Sequence, residues 1–296
     1  MSILTRAAGA CVLMPAVILG ISHYENAHFR VQPYQIHCED LPESFAGMKI
    51  VFLTDLHNRC FGRKNEQLIQ AIEELSPDLI LVGGDMVVGK PGQTTEIAID
   101  LIRKLAKRQL VVCADGNHEY RMKLYTEIYK EQYQEYKQAL KESGVYYLSN
   151  QTAVVKKGAE HIYITGLTMD RKYYQRGKKT PMEQSYLPGV IGTKKAGFWI
   201  LLAHNPLYFK EYAAAGADLI LSGHNHGGLI RFPKLGGLLS PQMRFFPEYD
   251  AGYYQEENSQ MIISRGLGTH TFPIRVGNYP EISVITLLNK DRKDGY

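Results

Sequence analysis

The sequence predicts an α/β fold, and three observations carry that assignment. Short apolar runs with the character of buried strands recur along the chain, at residues 48–54, 78–82, 110–114, 198–203 and 219–221. Between them lie segments of helical period, which is the strand–helix–strand alternation of βαβ units around a parallel core sheet. Each run also leads into Gly, Asp, Asn or His within a residue or two, at the carboxyl strand ends where open α/β sheets place their sites.

With 296 residues and 45% hydrophobic content, the chain can bury one large core. A net charge of +4 with 22% charged residues carries no polyelectrolyte signature, so no nucleic-acid partner is expected. Cys11, Cys38, Cys60 and Cys113 share no metal-finger or redox spacing. Residues 7–22 are uncharged and follow Arg6. They are at the short limit for a membrane span, about 17–25 residues, and also fit the apolar region of a signal peptide. We read residues 1–24 as an uncleaved membrane anchor, with cleavage near Gly20-Ile21-Ser22 and secretion as the alternative. Arg6 on the flank keeps that end in the cytoplasm and puts the remaining chain outside it. Residues 25–47 are expected to be a connector, and residues 48–290 the main domain.

In that domain the first strand, 48–54, ends at Asp55-Leu56-His57. Asn65 is placed as the N-cap of a helix through Leu75, which Ser76-Pro77 ends. The strand at 78–82 runs into Gly83-Gly84-Asp85. A helix at 96–106 and a strand at 110–114 follow, the latter running into Gly116-Asn117-His118-Glu119. Residues 120–143 form a solvated helix in this reading. Strands at 145–148, 153–155 and 161–166 begin a second half. Residues 168–197 are long, basic and aromatic, with Arg171, Lys172 and Arg176; they are either a surface excursion or a substrate or membrane-surface lid. The strand at 198–203 ends at His204, a helix runs through Ala215, and the strand at 219–221 ends at Ser222-Gly223-His224-Asn225-His226. Strands at 260–264 and 282–288 complete the chain.

His224 and His226, two apart in extended chain, point to one side, and Gly227-Gly228 lets the backbone turn there. Alone, that stretch is equally a solvated histidine-rich turn. Gathered with Asp55, His57, Asp85, Asn117, His118 and His204, it has the composition of a binuclear site for Zn, Fe or Mn.

These blocks together resemble the calcineurin-like metallophosphoesterase superfamily: Asp55-x-His57, Gly84-Asp85, Gly116-Asn117-His118-Glu119, His204 and Gly223-His224-x-His226. The resemblance implies a four-layer α-β-β-α sandwich of two mixed β-sheets and two divalent metal ions. It implies Asp55, His57, Asp85 and His226 around one metal and Asp85, Asn117, His204 and His224 around the other. His118 would contact the phosphate, oriented by Glu119, and these two are the expected catalytic residues. The expected activity is hydrolysis of a phosphodiester or pyrophosphate by metal-bound hydroxide, on a substrate that could be lipid-linked or nucleotide-linked. The alternatives are a phosphomonoesterase and an envelope-binding protein with a vestigial site. Residues 227–233 and 264–268, with the apolar N-terminus, resemble bacterial membrane-associated members more narrowly. Asn225 departs from that pattern, in which Thr is common.

Overall fold

The computed structural model describes residues 3–232, 235–240, 243–269 and 272–290, with side chains described from Pro15 onward. In chain order the elements are α1 (Ile3–Ala27), β1 (Arg30–Cys38), β2 (Lys49–Leu53), α2 (Glu66–Leu75), β3 (Leu79–Val82), α3 (Glu96–Ala106) and β4 (Leu110–Ala114). There follow α4 (Asn117–Leu124), α5 (Thr126–Tyr129), α6 (Gln132–Glu142), β5 (Tyr146–Leu148), β6 (Gln151–Lys157), β7 (Glu160–Leu167) and α7 (Tyr186–Ile191). The chain ends with β8 (Trp199–Ala203), α8 (Phe209–Ala214), β9 (Leu219–Ser222), β10 (Arg231–Phe232), β11 (Gly236–Gly237), β12 (Gly252–Glu256), β13 (Ser259–Ile263) and β14 (Glu281–Asn289).

Alternation within the strands builds the layers. In β2, Ile50 and Phe52 face one way and Val51 and Leu53 the other; β3 repeats this with Leu79 and Leu81 against Ile80 and Val82. The first set meets Ile164, Ile200, Leu202 and Leu221 of a second sheet, forming the central layer. The second set meets α2 and α3 through Leu68, Ile72, Ile102 and Leu105, with Tyr136 and Leu140 of α6. On the far face of the second sheet, Trp199, Leu201 and Ile220 pack with Leu187, Phe209 and Tyr212. Both faces of each sheet are covered, which is why the central strands read as continuous apolar runs. The result is the expected α-β-β-α sandwich.

The strand orders are β1-β14-β2-β3-β4-β5 and β12-β13-β9-β8-β7-β6. Both sheets are mixed: β2 to β5 run parallel, but β14 is antiparallel to β2, and β6 and β12 pair antiparallel at the edges of the second sheet.

Several expectations need correction. The connector at 25–47 contains β1, a nine-residue edge strand parallel to β14. Its period-2 pattern is half exposed, and Pro33 inside it is tolerated because the strand lies at an edge. Asn65 does stand at the N-cap of α2, but its side chain makes no capping bond; its Oδ1 accepts from Phe61 N–H at 2.9 Å and ties the preceding loop instead. The single helix at 120–143 is α4, α5 and α6, broken where Lys130 takes φ +50°. Residues 168–197 are no loose excursion: they contain a 3-10 turn (Arg171–Tyr174) and α7, and they bury Tyr173, Leu187 and Ile191.

Among the described residues, no helix is long and apolar enough to cross a membrane. The anchor reading rests partly on residues 7–14, and Cys11 among them, whose side chains lie outside the described residues, as does Pro233. What the structure adds is that α1 ends on the domain, with Ser22, Glu25 and Asn26 buried.

Candidate metal centre

Each expected ligand stands where a parallel strand runs out. β2 leads to Asp55 and His57, and β3 passes through Gly83-Gly84 to Asp85. β4 leads into α4, whose first residues are Asn117, His118 and Glu119; β8 delivers His204, and β9 delivers His224 and His226. Five of these residues have left-handed backbones: Asp55, His57, Asp85, His224 and His226, with φ of 53, 46, 51, 67 and 51°. Backbone bonds hold the turns, Asp55 N–H to Gly84 O at 3.0 Å and His57 N–H to Asp85 O at 3.1 Å. Gly116 lies against the Asp85 carboxylate, where any Cβ would collide with it.

The side chains converge. Asp85 Oδ2 lies 3.1 Å from His204 Nε2 and 3.9 Å from Nε2 of both His57 and His118. Asp55 Oδ1 lies 3.4 Å from His226 Nε2, 3.6 Å from His57 Nε2 and 3.7 Å from His204 Nε2. Among the described residues three groups of side chains stand close enough to hold a metal ion, Asp55–His57–His226, Asp85–His204–His224 and His57–Asp85–His118. Asn117 lines the same cleft.

The proton inventory tests whether cations fit. His204 Nδ1 lies 2.8 Å from Gly83 O, and His226 Nδ1 lies 3.1 Å from Gly268 O. Each Nδ1–H donates to its carbonyl, which leaves the Nε2 lone pair turned into the site, as in histidines that ligate metals. His204 Nε2 and Asp85 Oδ2 are then two acceptors face to face. His204 Nε2, His224 Nε2 and Asn117 Oδ1 are buried with no hydrogen-bond partner among the described residues. Buried acceptors opposed in this way are stabilised by cations, and N/O donors of this kind suit Mn, Fe or Zn. Without a cation a proton takes that place: burial pulls His204 down, but Asp85 and Asp55 outweigh it and push it up to about 10. Burial alone would raise both carboxyl groups. His226 and His204 hold Asp55 below the usual carboxylate range, and His204 and His118 do the same for Asp85. Burial keeps His224 and His226 neutral, down to about 4 and about 3, with His204 adding to it at His224 and His57 at His226.

His118 also comes within ligand range of His57 and Asp85, but its tautomer argues against ligation. Gly89 N–H donates to His118 Nδ1 at 2.7 Å, so the ring proton sits on Nε2, which faces the cleft as a donor. Glu119 plays a different part from the expected one. Its Oε2 accepts from Asp85 N–H at 2.8 Å and Gly116 N–H at 2.9 Å, and its Oε1 from Met86 N–H at 2.9 Å. It shapes the turn that presents Asp85, and Gly89 fixes the His118 ring.

Four residues at the site were not found from sequence. Asn278, fully buried, donates from Nδ2 to His226 O and Gly228 O, both at 2.6 Å. Arg275, also buried, donates to Gly268 O at 2.6 Å, the carbonyl that orients His226. Glu25 accepts from Gly277 N–H at 3.0 Å and Asn278 N–H at 2.9 Å. Tyr174 places its ring 5.3 Å from that of His224. Each acts from a distant segment through backbone groups or ring contact, and no spacing rule exposes that. Asn225, the departure from the family pattern, donates from Nδ2 to Tyr249 O and holds the histidine loop.

The family model for calcineurin-like phosphoesterases matches residues 48–228, more than half of the chain and every ligand named above. The chain belongs to the calcineurin-like phosphoesterase family. Members are divalent-metal-dependent phosphoester hydrolases, and the ligand cluster of this chain agrees with that chemistry. The chain is 29% identical over 278 residues to the uncharacterized metallophosphoesterase YkuE of Bacillus subtilis, covering 90% of this chain and 89% of that one. It is 27% identical over 249 residues to phosphodiesterase YaeI of Escherichia coli, covering 83% and 84%. Among solved structures, phosphopantetheinyl hydrolase of Mycobacterium tuberculosis aligns with a TM-score of 0.46 at 14% identity, over 74% of this chain and 89% of that one.

The centre opens into a cleft of about 580 Å³, whose rim carries Arg121, Arg171, Lys172 and Arg176. Two of these cations are laid on aromatic rings. Arg171 sits 5.3 Å from the Tyr125 centroid, and Lys172 sits 5.0 Å from Tyr173 and 5.7 Å from Tyr186.

Proposed function

We propose that this protein hydrolyses a phosphodiester or pyrophosphate bond at a binuclear metal centre. The observation that carries the reading is the buried carboxylate–histidine cluster at the strand ends, where His204 Nε2, His224 Nε2 and Asn117 Oδ1 have no hydrogen-bond partner among the described residues, opening into a cleft rimmed by Arg and Lys. Asp55, His57, Asp85 and His226 would hold one divalent ion, and Asp85, Asn117, His204 and His224 the other. When bound, such ions supply positive charge for a phosphoryl group in the transition state and acidify a water near it. The chain's own groups do the rest. Gly83 and Gly268 carbonyls hold two imidazoles in the ligating tautomer. His118, its Nε2 proton fixed by Gly89, donates to a phosphoryl or leaving-group oxygen. Arg171, Lys172 and Arg176 draw in the anionic substrate and orient it.

The similarity to a phosphodiesterase, YaeI, supports diesters over monoesters. The test is turnover of paired diester and monoester substrates by metal-depleted protein reloaded with Mn, Fe or Zn. Absence of turnover with every metal refutes the reading. We further propose that the N-terminal apolar stretch holds the protein at a membrane with its catalytic domain outside the cytoplasm, from Arg6 and the uncharged run behind it. Recovery of the intact chain in a soluble cytoplasmic fraction refutes that placement.

A further inference from the structure

A second cavity, of about 220 Å³, adjoins the metal cleft and shares His226 and Arg176 with it. Its walls are Leu229, Met243, Phe272 and Ile274, and it is almost wholly apolar. Met243 and Phe272 stand at its rim, 52% and 48% exposed, and among the described residues no side chain fills the space beside them. Apolar surface kept open at the edge of a charged centre forgoes the stabilisation that burial would give it. The wall is also well fixed. Ser22 Oγ donates to Pro273 O at 3.1 Å, Asn26 Nδ2 donates to the same oxygen at 3.0 Å, and Arg275 N–H donates to Ser22 Oγ at 3.0 Å.

We infer that this cavity receives the aliphatic chain of an amphiphilic phosphoester whose phosphoryl group sits at the metal centre. The inference rests on the phosphoesterase reading and names its substrate class. A nucleobase would require several partners for its polar edge, and the surface that the described residues turn into the cavity is mostly apolar. An alkyl chain requires none. Arg176, at the junction of the two cavities, is placed to meet the phosphate where chain and headgroup join.

The test uses full-length, metal-loaded protein and the methyl, butyl and octyl esters of 4-nitrophenyl phosphate, each below its micellar concentration. Burying each methylene is expected to raise kcat/KM about fourfold until the cavity is full. In Phe272→Asp and in Met243→Gln the octyl-to-methyl ratio is expected to fall toward one. Competitive inhibition by octyl against methyl phosphonate gives the same ratio without a nitrophenyl group. If the methyl ester is hydrolysed but neither ratio rises with chain length, the inference is wrong and the phosphoesterase reading stands. A rise that both variants retain also overturns it, since the chain then lies elsewhere. If no ester is hydrolysed with any metal, the phosphoesterase reading itself fails.

Discussion

Replacing Glu25 tests whether the end of α1 belongs to the metal centre. Glu25 lies 30 residues before Asp55 and 60 or more before every candidate ligand beyond His57, yet two steps connect it to His226. Its carboxylate accepts from Gly277 N–H at 3.0 Å and Asn278 N–H at 2.9 Å. Asn278 in turn donates to His226 O and Gly228 O at 2.6 Å each. Hydrogen bonds to a charged group contribute about 1.5–3 kcal/mol each. The two share one buried carboxylate, so Glu25→Ala should cost about 2–4 kcal/mol in all, counting the two N–H groups left without an acceptor. Outer partners of metal ligands typically change affinity 10–100-fold when removed. We therefore expect Glu25→Ala to lower Tm and to weaken occupancy at the site containing His226 by at least tenfold. Glu25→Gln, which keeps one acceptor oxygen, should fall between. Removing residues 1–27 should reproduce Glu25→Ala, while removing residues 1–15 should leave metal content intact. Elemental analysis after dialysis against graded chelator, with calorimetry on the same samples, reads both effects. Full metal retention and unchanged Tm in Glu25→Ala would refute the coupling, and α1 would be only a tether.

Three further outcomes are expected. Asp85→Asn removes one negative charge from the proposed metal centre and should lose metal and activity together, whereas His118→Gln should keep metal while kcat falls about 10²–10⁴-fold; loss of metal in His118→Gln makes His118 a ligand. Neutralising Arg171, Lys172 and Arg176 together should raise KM for large anionic substrates more than for a small diester, and equal kinetics on both would return residues 168–197 to a structural role. Because Asp85 and Asp55 push His204 up to about 10, the metal-free protein should hold a proton there at pH 8, and loading should release it, measurable by calorimetry in buffers of different ionisation enthalpy. The sign for stability follows: the raised value stabilises the metal-free fold fully below the unfolded histidine range, near 6.5, and that contribution is lost as pH rises toward about 10.

The layers were legible in the sequence because strands buried on both faces read as apolar runs, and β2, β3, β4, β8 and β9 are all of that kind. β1 was not, because an edge strand with alternating exposure and a proline resembles a connector. The candidate ligands stood out for a related reason: each lies a few residues past an apolar run. Their support was hidden. Asn278 and Arg275 act through carbonyl oxygens, and Glu119 through backbone N–H groups, so their roles depend on where the chain passes rather than on neighbouring residues. The family resemblance implies that Glu119 orients His118, but consecutive residues on α4 point in different directions, and its carboxylate meets the Asp85 turn.

The left-handed turns explain why so many outside residues are needed. Asp55, His57, Asp85, His224 and His226 each occupy a conformation that costs a non-glycine residue roughly 1–2 kcal/mol, about 5–10 kcal/mol for the set. That is comparable to the whole stability of an ordinary domain. The conformations persist because the surroundings over-determine them: Glu119 grips the Asp85 turn, Asp55 accepts from His224 N–H at 3.1 Å, and Asn278 clamps the His226 turn. Glycine would relieve the strain at any of these positions but would remove the ligand. A side chain that both ligates and turns the chain has to be held from elsewhere, and the end of α1 is one of the places from which this protein does so.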